Sequence, residues 1–386
     1  MAFELGLHSL AWLEKRISVM DSTLDWLSLS LVPGLGLSGA WRLLSHFGTP
    51  SVVLHSSPGK LAKVEGMRKS QLKGLLSGTD WYQKGENELK RLQSFGADVL
   101  CYDSQHYPPL LKQLIDPPLL LFVLGDPAIL IQTSVAIVGS RAATAYGRRT
   151  SFQLAEGLTG YSLTVVSGLA LGIDTEAHRG TISGAGNTVA VLGCGLDIVY
   201  PKQNRSLYRE ITKNGAIVSE YPLGTRPEGF RFPARNRIIA GLSLGVVVVE
   251  AAKRSGSLIT AQIALDIGRD VFAVPGQVDS FKSEGAHWLL QQGAKLVLGA
   301  SDIADEFGLP MFSNSLLKNE DSIENNADLD PDALALLQII EPYAMSKEDL
   351  IVFSGMVPAR VSELLLFLEL EGRIEMLPGD QLRKIK

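Results

Sequence analysis

The sequence predicts an α/β protein: a Rossmann-like, mainly parallel sheet flanked by an N-terminal helical domain and a C-terminal winged-helix domain. Three observations predict it. Between Leu119 and about Ala300, short β-branched runs alternate with glycine turns and helical patterns, as in parallel strands joined by crossovers. The run Leu244–Glu250 is apolar without alternation, which suits a strand buried on both faces. Ahead of this region the hydrophobic spacing is helical, and behind it three short helical patterns lead into a small hairpin.

Taken in order, residues 1–20 read as an extension. Residues 21–80 form a helical domain of helix-hairpin-helix or SAM-like type. LSLVPGLGLSGAWRLLSHFG and LAKVEGMRKSQLKGLL each read as helix, glycine turn, helix, with turns at Val32–Gly36 and Val64–Gly66. Their glycines either tighten turns in a small bundle or present turn amides to a phosphate. Lys60, Lys63, Arg68, Lys69 and Lys73 make the second copy basic. Residues 81–118 read as a connector, with a polar helix, the strand-like Ala97–Tyr102, and prolines that stop helices and set extended geometry.

In the domain at 119–300, strands are expected at Leu119–Val123, Val135–Val138, Leu163–Val166, Thr188–Leu192, Ala216–Glu220, Leu244–Glu250, Val271–Val274 and Lys295–Leu298. Residues 301–330 are acidic and Asn/Ser-bearing, which suits a flexible linker. Residues 331–386 give helices at Asp332–Ile340, Ser346–Phe353 and Pro358–Leu370, then a hairpin over Arg373–Arg383. A DNA-reading helix presents several basic or amide side chains, and the third helix offers mainly Arg360. Protein contact or regulation is the expectation for this domain.

Composition bounds the function. The 386 residues are 46% hydrophobic and 20% charged, enough for two or three domains. A net charge of -5 does not advertise nucleic-acid binding, but local patches rather than totals make that footprint. Cys101 and Cys194 suggest neither a disulfide framework nor a zinc site, and a reducing, cytoplasmic setting fits. No run approaches a membrane span, and the first twenty residues lack a signal-peptide core.

The chemistry gathers at strand ends, because ligands of parallel sheets collect at the carboxyl edge. Ser255-Gly256-Ser257 opens a helical pattern whose first-turn amides are free to meet an anion, and Arg231, Arg235 and Arg237 supply charge nearby. Gly139-Ser140-Arg141, Ser167-Gly168, Gly193-Cys194-Gly195 and Tyr200–Asn204 follow other strands. Converging at one edge, these loops predict a long, positively lined groove. Plainer readings stand beside this one. Asp174 and His178, four apart on a helix, are a catalytic or metal pair or, more commonly, a local hydrogen bond. Glu250 is a general base without an identifiable partner, or scaffolding. The glycines around Cys194 lack the third glycine and spaced acid of a dinucleotide fingerprint, so no cofactor is expected.

Six stretches together resemble one family: VAIVGSRAATAYGRR, VVSGLALGIDTEAHRGTI, TVAVLGCGLDIVYPKQN, IVSEYPLGTRPEGFRFPARNRIIAGLS, VVVVEAAKRSGSLITAQIALDIGRDVFAVPGQV and GAHWLLQQGAKLV. Their order and content resemble the DNA-processing protein A (DprA/Smf) family. The resemblance implies an extended Rossmann domain that binds and protects single-stranded DNA, a homodimer, and loading of RecA recombinase in natural transformation, with no catalytic residue. It carries a basic pocket onto Arg141, Lys202, Arg235 and Arg237, with Ser140, Ser167, Gly168, Ser255, Gly256 and Ser257 offering hydroxyls and amides to phosphates. Phe232 is the candidate for stacking on a base, and a dimer contact falls around His287, Leu290 and Leu296. Single strands are held by charge and stacking largely without sequence preference. Two other classes remain open. One is a LOG-type phosphoribohydrolase, against which Ser255–Gln262 lacks the motif's closing glutamate. The other is a winged-helix binder of duplex DNA.

Overall fold

In the computed structural model, residues 22–311, 330–340 and 345–384 are described, and the expected extension at 1–20 lies outside them. The chain divides into two compact units, residues 1–312 and 313–386.

The first unit opens with helices α1 (22–30), α2 (Gly36–Phe47), α3 (Pro50–Leu54), α4 (Pro58–Leu61) and α5 (Lys69–Leu75). Trp26, Leu27, Leu43, Leu44 and Leu72 turn inward, and one apolar cluster runs from them to Phe122 and Leu192 of the sheet. Gly74 sits against the Pro33 carbonyl, too close for a side chain, so the two hairpins pack turn to helix. Helix α6 (Trp81–Phe95) starts on an Asp80 cap, whose carboxylate accepts from the Gln83 amide at 3.0 Å.

Nine strands follow: β1 (Asp98–Cys101), β2 (Leu120–Gly125), β3 (Ser134–Val138), β4 (Thr164–Ser167), β5 (Thr188–Leu192), β6 (Gly215–Ser219), β7 (Gly245–Val248), β8 (Asp270–Ala273) and β9 (Lys295–Leu296). They form one sheet in the order β1-β2-β6-β5-β4-β3-β7-β8-β9. The pairs from β6 through β9 are parallel, and β1 and β2 add an antiparallel edge. Interleaved are α7 (Ala145–Thr159), α8 (Ile173–Ser183), α9 (Arg205–Asn214), α10 (Arg231–Leu242), α11 (Gly256–Asp266), α12 (Glu284–Gln291) and α13 (Ala300–Glu306). Because successive side chains on a strand point to opposite faces, Val135 and Ile137 join the core with α7 while Ala136 and Val138 join the core with α10 and α11.

The connector expected at 81–118 is instead part of this sheet. Its strand β1 pairs with β2, and Tyr107 is buried with its hydroxyl donating to the Pro118 carbonyl at 2.8 Å. The prolines at 108, 109, 117 and 118 fall in the loop between β1 and β2 and interrupt neither strand. The linker expected at 301–330 also starts too early: α13 buries Ile303 and Ala304 beside Val297, and Phe307 packs on Phe272. Its remaining part, 312–329, lies outside the described residues.

The second unit has helices Pro331–Ile339, Lys347–Ser354 and Pro358–Leu370, then antiparallel strands Ile374–Leu377 and Gln381–Lys384, with Met345–Ser346 as a third strand. This is a winged helix around Leu336, Leu350, Leu364 and Leu368. Arg360 is held by Asp330, Asp332 and Glu363. Among the described residues, no single helix is long and apolar enough to cross a membrane.

Candidate nucleic-acid interface

Chain order fixes where a cleft opens. From β3 the sheet grows outward through β4, β5 and β6, and then the chain returns to lay β7 on the other side of β3. Loops after β3 and β7 therefore leave in different directions, and a crevice forms between them at the carboxyl edge. Its two walls are tied together. The Ser140 amide donates to the Glu250 carbonyl at 2.7 Å, and the Glu250 carboxylate accepts from the Thr144 hydroxyl at 2.6 Å and from its amide at 3.1 Å. Glu250 is thus scaffolding that holds the start of α7. Gly172, at φ +81, passes so near the Ser140 carbonyl that a side chain there would collide with it.

The cleft has a volume of about 510 Å³ and is lined by Gly139, Arg141, Tyr200, Phe232, Arg235 and the Ser255–Ser257 turn, among others. A side recess of about 200 Å³ lies between Arg141, Leu171, Tyr200 and Phe232. Phe232 and Tyr200 stand with ring centroids 5.5 Å apart at 32°, and the Arg141 guanidinium lies 5.3 Å from the Phe232 ring centre. Arg141 itself is exposed, and Tyr200 is 41% exposed. A cation beside one exposed and one half-buried ring offers both charge and a stacking platform.

The other expected residues divide. Ser255 caps α11, accepting from the Ser257 amide at 3.3 Å, and its hydroxyl meets that of Ser257 at 2.7 Å. Gly256 is exposed, with open space where a side chain would be. Asn236 donates to the Gly256 carbonyl at 3.3 Å and so holds this turn against α10. Lys202 is exposed on the short 3-10 turn Lys202–Asn204, which Asn204 pins by donating to the Leu169 carbonyl at 3.0 Å.

Four expected contacts are placed otherwise. The Ser167 hydroxyl is fully buried and donates to the Ile137 carbonyl at 2.6 Å, because strand alternation turns it into the sheet. The Gly168 amide is buried and donates to Asp174 at 3.2 Å. Arg235 is 4% exposed; its guanidinium donates to the carbonyls of Gly168 and Val191 and forms the cleft floor. Arg237 leaves the cleft entirely, paired with Glu220 and 3.8 Å from Asp116. Arg231 is engaged as well, with Glu228 at 3.1 Å and the Tyr221 ring at 4.8 Å. Of the expected dimer residues, Leu296 is 47% exposed, Leu290 packs on the core, and the His287 ring meets Gly276 at 3.1 Å.

Asp174 and His178 do not bond each other. Asp174 accepts from the amides of Gly168 and Ala170, and His178 meets the Thr188 hydroxyl at 2.7 Å. Burial holds the Asp174 carboxyl above the usual range, against the opposing pull of Arg235. Burial, with Arg235 adding to it, lowers His178 from 6.5 to about 3. A group protonated only in the unfolded chain destabilises the fold as pH drops below 6.5, by about 1.4 kcal/mol per pH unit until its folded pKa is reached. Asp174 and Glu220, both raised by burial, act in the opposite sense, since the fold gains stability as they protonate. His178→Asn is therefore expected to flatten the acid-side loss of stability in urea titrations between about pH 6 and pH 4. An unchanged slope would exclude His178 as its source.

Sequence reasoning placed Tyr200 only within the Tyr200–Asn204 loop, with no stacking role, and did not single out Asn236 or the exposed pair Lys253 and Arg254 just before the serine turn. The Tyr-Pro-Lys-Gln-Asn string and the basic step into Ser255 were the available signals.

Comparison with known proteins decides the family. The model described as "DNA recombination-mediator protein A" matches residues 98–308, more than half of the chain. The chain belongs to the DprA/Smf family. A second match, the DprA winged helix domain, covers residues 321–380. Protein Smf of Synechocystis is 32% identical over 92% of this chain and 96% of its own. DNA processing protein DprA of Streptococcus pneumoniae is 48% identical over 56% of this chain and 76% of its own. The crystal structure of that DprA superimposes with a TM-score of 0.66 at 37% identity, covering 73% of this chain and 97% of the other. DNA processing protein A of Helicobacter pylori, solved for its single-stranded DNA binding mode, gives a TM-score of 0.50 at 31% identity, covering 55% and 95%. The β1 pairing observed here agrees with a family match that begins at Asp98 rather than at Leu119.

Proposed function

We propose that this DprA/Smf-family chain binds single-stranded DNA in the cleft between the β3 and β7 loops. The observation that carries the reading is the exposed Arg141 set beside the paired rings of Phe232 and Tyr200. Single strands need this combination of backbone charge and stacking surface. Arg141, Lys202, Lys253 and Arg254 reach phosphates, Gly256 offers backbone, and Phe232 and Tyr200 stack on bases. Ser140, Ser167, Gly168 and Arg235 build the floor beneath the strand, and Arg237 braces α10 from behind. The bound strand is shielded from nucleases and passed to RecA recombinase in the cytoplasm during natural transformation. The protein acts by binding, with no bond made or broken. It works as a homodimer through the apolar edge around Leu296, a reading that a monomeric mass in light scattering would remove.

Titration of single-stranded oligonucleotides across salt concentrations tests the cleft. Four phosphate contacts give a log-log slope of about -3, at roughly -0.7 per contact. Affinity that hardly changes with salt would sink the reading.

A further inference from the structure

The second helical hairpin carries charge that the cleft does not use. Between Pro58 and Gly74 stand Lys60, Lys63, Arg68, Lys69 and Lys73 against the single acid Glu65, within a chain whose net charge is -5. All five cations are exposed. Among the described residues none of the five forms an ion pair, whereas Arg231, Arg237 and Arg360 elsewhere are all neutralised. Packing explains how they share a surface. Leu61, Val64 and Leu72 are buried beneath them, and Gly74 is pressed on the Pro33 carbonyl, so the remaining side of the hairpin faces water. Lys69 and Lys73 lie one turn apart on α5, on one face about 6 Å from each other along the axis. Arg42 of α2 adds a sixth cation, its guanidinium bound to the Gly66 carbonyl in the turn between Lys63 and Arg68.

The apolar underside of the hairpin, Leu61, Val64 and Leu72, is continuous with Leu169 and Leu196 in the loops at the carboxyl edge where the cleft opens, and we propose that this hairpin is a second DNA surface, which takes the phosphate backbone of a duplex next to the single strand held in the cleft. The choice of duplex rests on what the patch contains. Residues 58–74 include no aromatic side chain, so the patch has charge without a stacking platform. Unstacked single strands are held by both, while a duplex hides its base faces and, without sequence preference, is gripped through its phosphates. The winged helix does not compete on charge: residues 330–386 carry ten acidic side chains against six basic ones, and Arg360 is occupied by three carboxylates. The ligand of the full chain is then a junction, single strand in the cleft and paired stem on the hairpin.

The test uses the full chain with three probes of one sequence: a single strand, a blunt duplex, and that strand carrying a duplex stem. Wild type is expected to bind the tailed duplex at least about 10-fold more tightly than the single strand alone, with a steeper salt dependence, by roughly -0.9 per added phosphate contact. The variant Lys60→Gln/Lys63→Gln/Lys69→Gln/Lys73→Gln should lose that gain and bind the single strand as wild type does, which also reports that it is folded. Arg141→Glu should do the reverse, weakening the single strand and leaving blunt-duplex binding in place. A quadruple variant that keeps the full gain from the stem overturns the hairpin proposal, whatever Arg141→Glu does. Wild type with no gain from the stem overturns it equally.

Discussion

Replacing Arg141 and Lys202 together by glutamate is expected to lower single-strand affinity about 100-fold, with the fold unchanged. Hydrogen bonds to charged groups contribute about 1.5–3 kcal/mol each, and two lost contacts make about 3 kcal/mol, which is two orders of magnitude in Kd. The log-log salt slope should become shallower by about 1.4, because two phosphates are no longer neutralised. Both side chains are exposed, and no ion pair involving either is among those found in the described residues, so reversal leaves no buried partner stranded. Arg237→Glu is the informative companion. Its positive end lies with Glu220 on the far side of α10, and reversal there sets two carboxylates together, which should reduce stability before it reduces binding. A double Arg141/Lys202 variant that binds within a few-fold of wild type would move the strand out of the cleft.

The second large effect is on folding. Arg235→Met is expected to destabilise the first unit by about 3–5 kcal/mol, the range seen when one member of a buried charged set is removed. Arg235 is buried among the carbonyls of Gly168 and Val191, and burial holds its pKa down to about 10 although Asp174 pulls it up. Its loss leaves two carbonyls without their donor and Asp174 without its countercharge. Thermal unfolding should shift down by roughly 10 °C, at about 2–4 °C for each kcal/mol in a unit of this size. Arg235→Lys should recover little, since a compact, strongly hydrated ammonium costs more to bury there than the more weakly hydrated guanidinium. Arg235→Met with Asp174→Asn should recover part of the loss by removing the stranded charge. A single variant within about 1 kcal/mol of wild type would contradict this account of the cleft floor.

Much of this architecture was legible because the physics that sets it is local. The β-branched runs at 135–138, 188–192 and 244–250 are too apolar for any place but the inside of a sheet, and strands occupy each of them. The winged helix declared itself through three helical spacings and a turn. The edge strand β1 was visible as a strand, but its membership of the sheet was not, because the pairing to Leu120–Val123 is a long-range contact that no local pattern records. At the site, Arg141 and the serine turn could be placed by topology alone. Arg235 and Arg237 could not both serve one cleft, since a helix turns about 100° per residue and side chains two apart point to opposite sides. That much was available in the sequence. What was not available is Glu220, which receives Arg237, or Tyr200, which reaches Phe232 from a different loop. Both depend on how the carboxyl ends of separate strands crowd together.

The tie between Ser140 and Glu250 has a consequence for how the protein comes into being. The two residues meet at 2.7 Å across the cleft, yet about 110 residues of chain separate them, including β4, β5 and β6. During synthesis, a ribosome that has released β3 through β6 has exposed a partial sheet with a basic turn but no opposite wall. The cleft comes into existence only when β7 slides in beside β3 and Glu250 takes hold of Thr144. A chain that ends before β7 keeps Arg141, Tyr200 and Phe232 but lacks the Glu250 tie to Thr144 and the Ser255–Ser257 turn that together make the opposite wall.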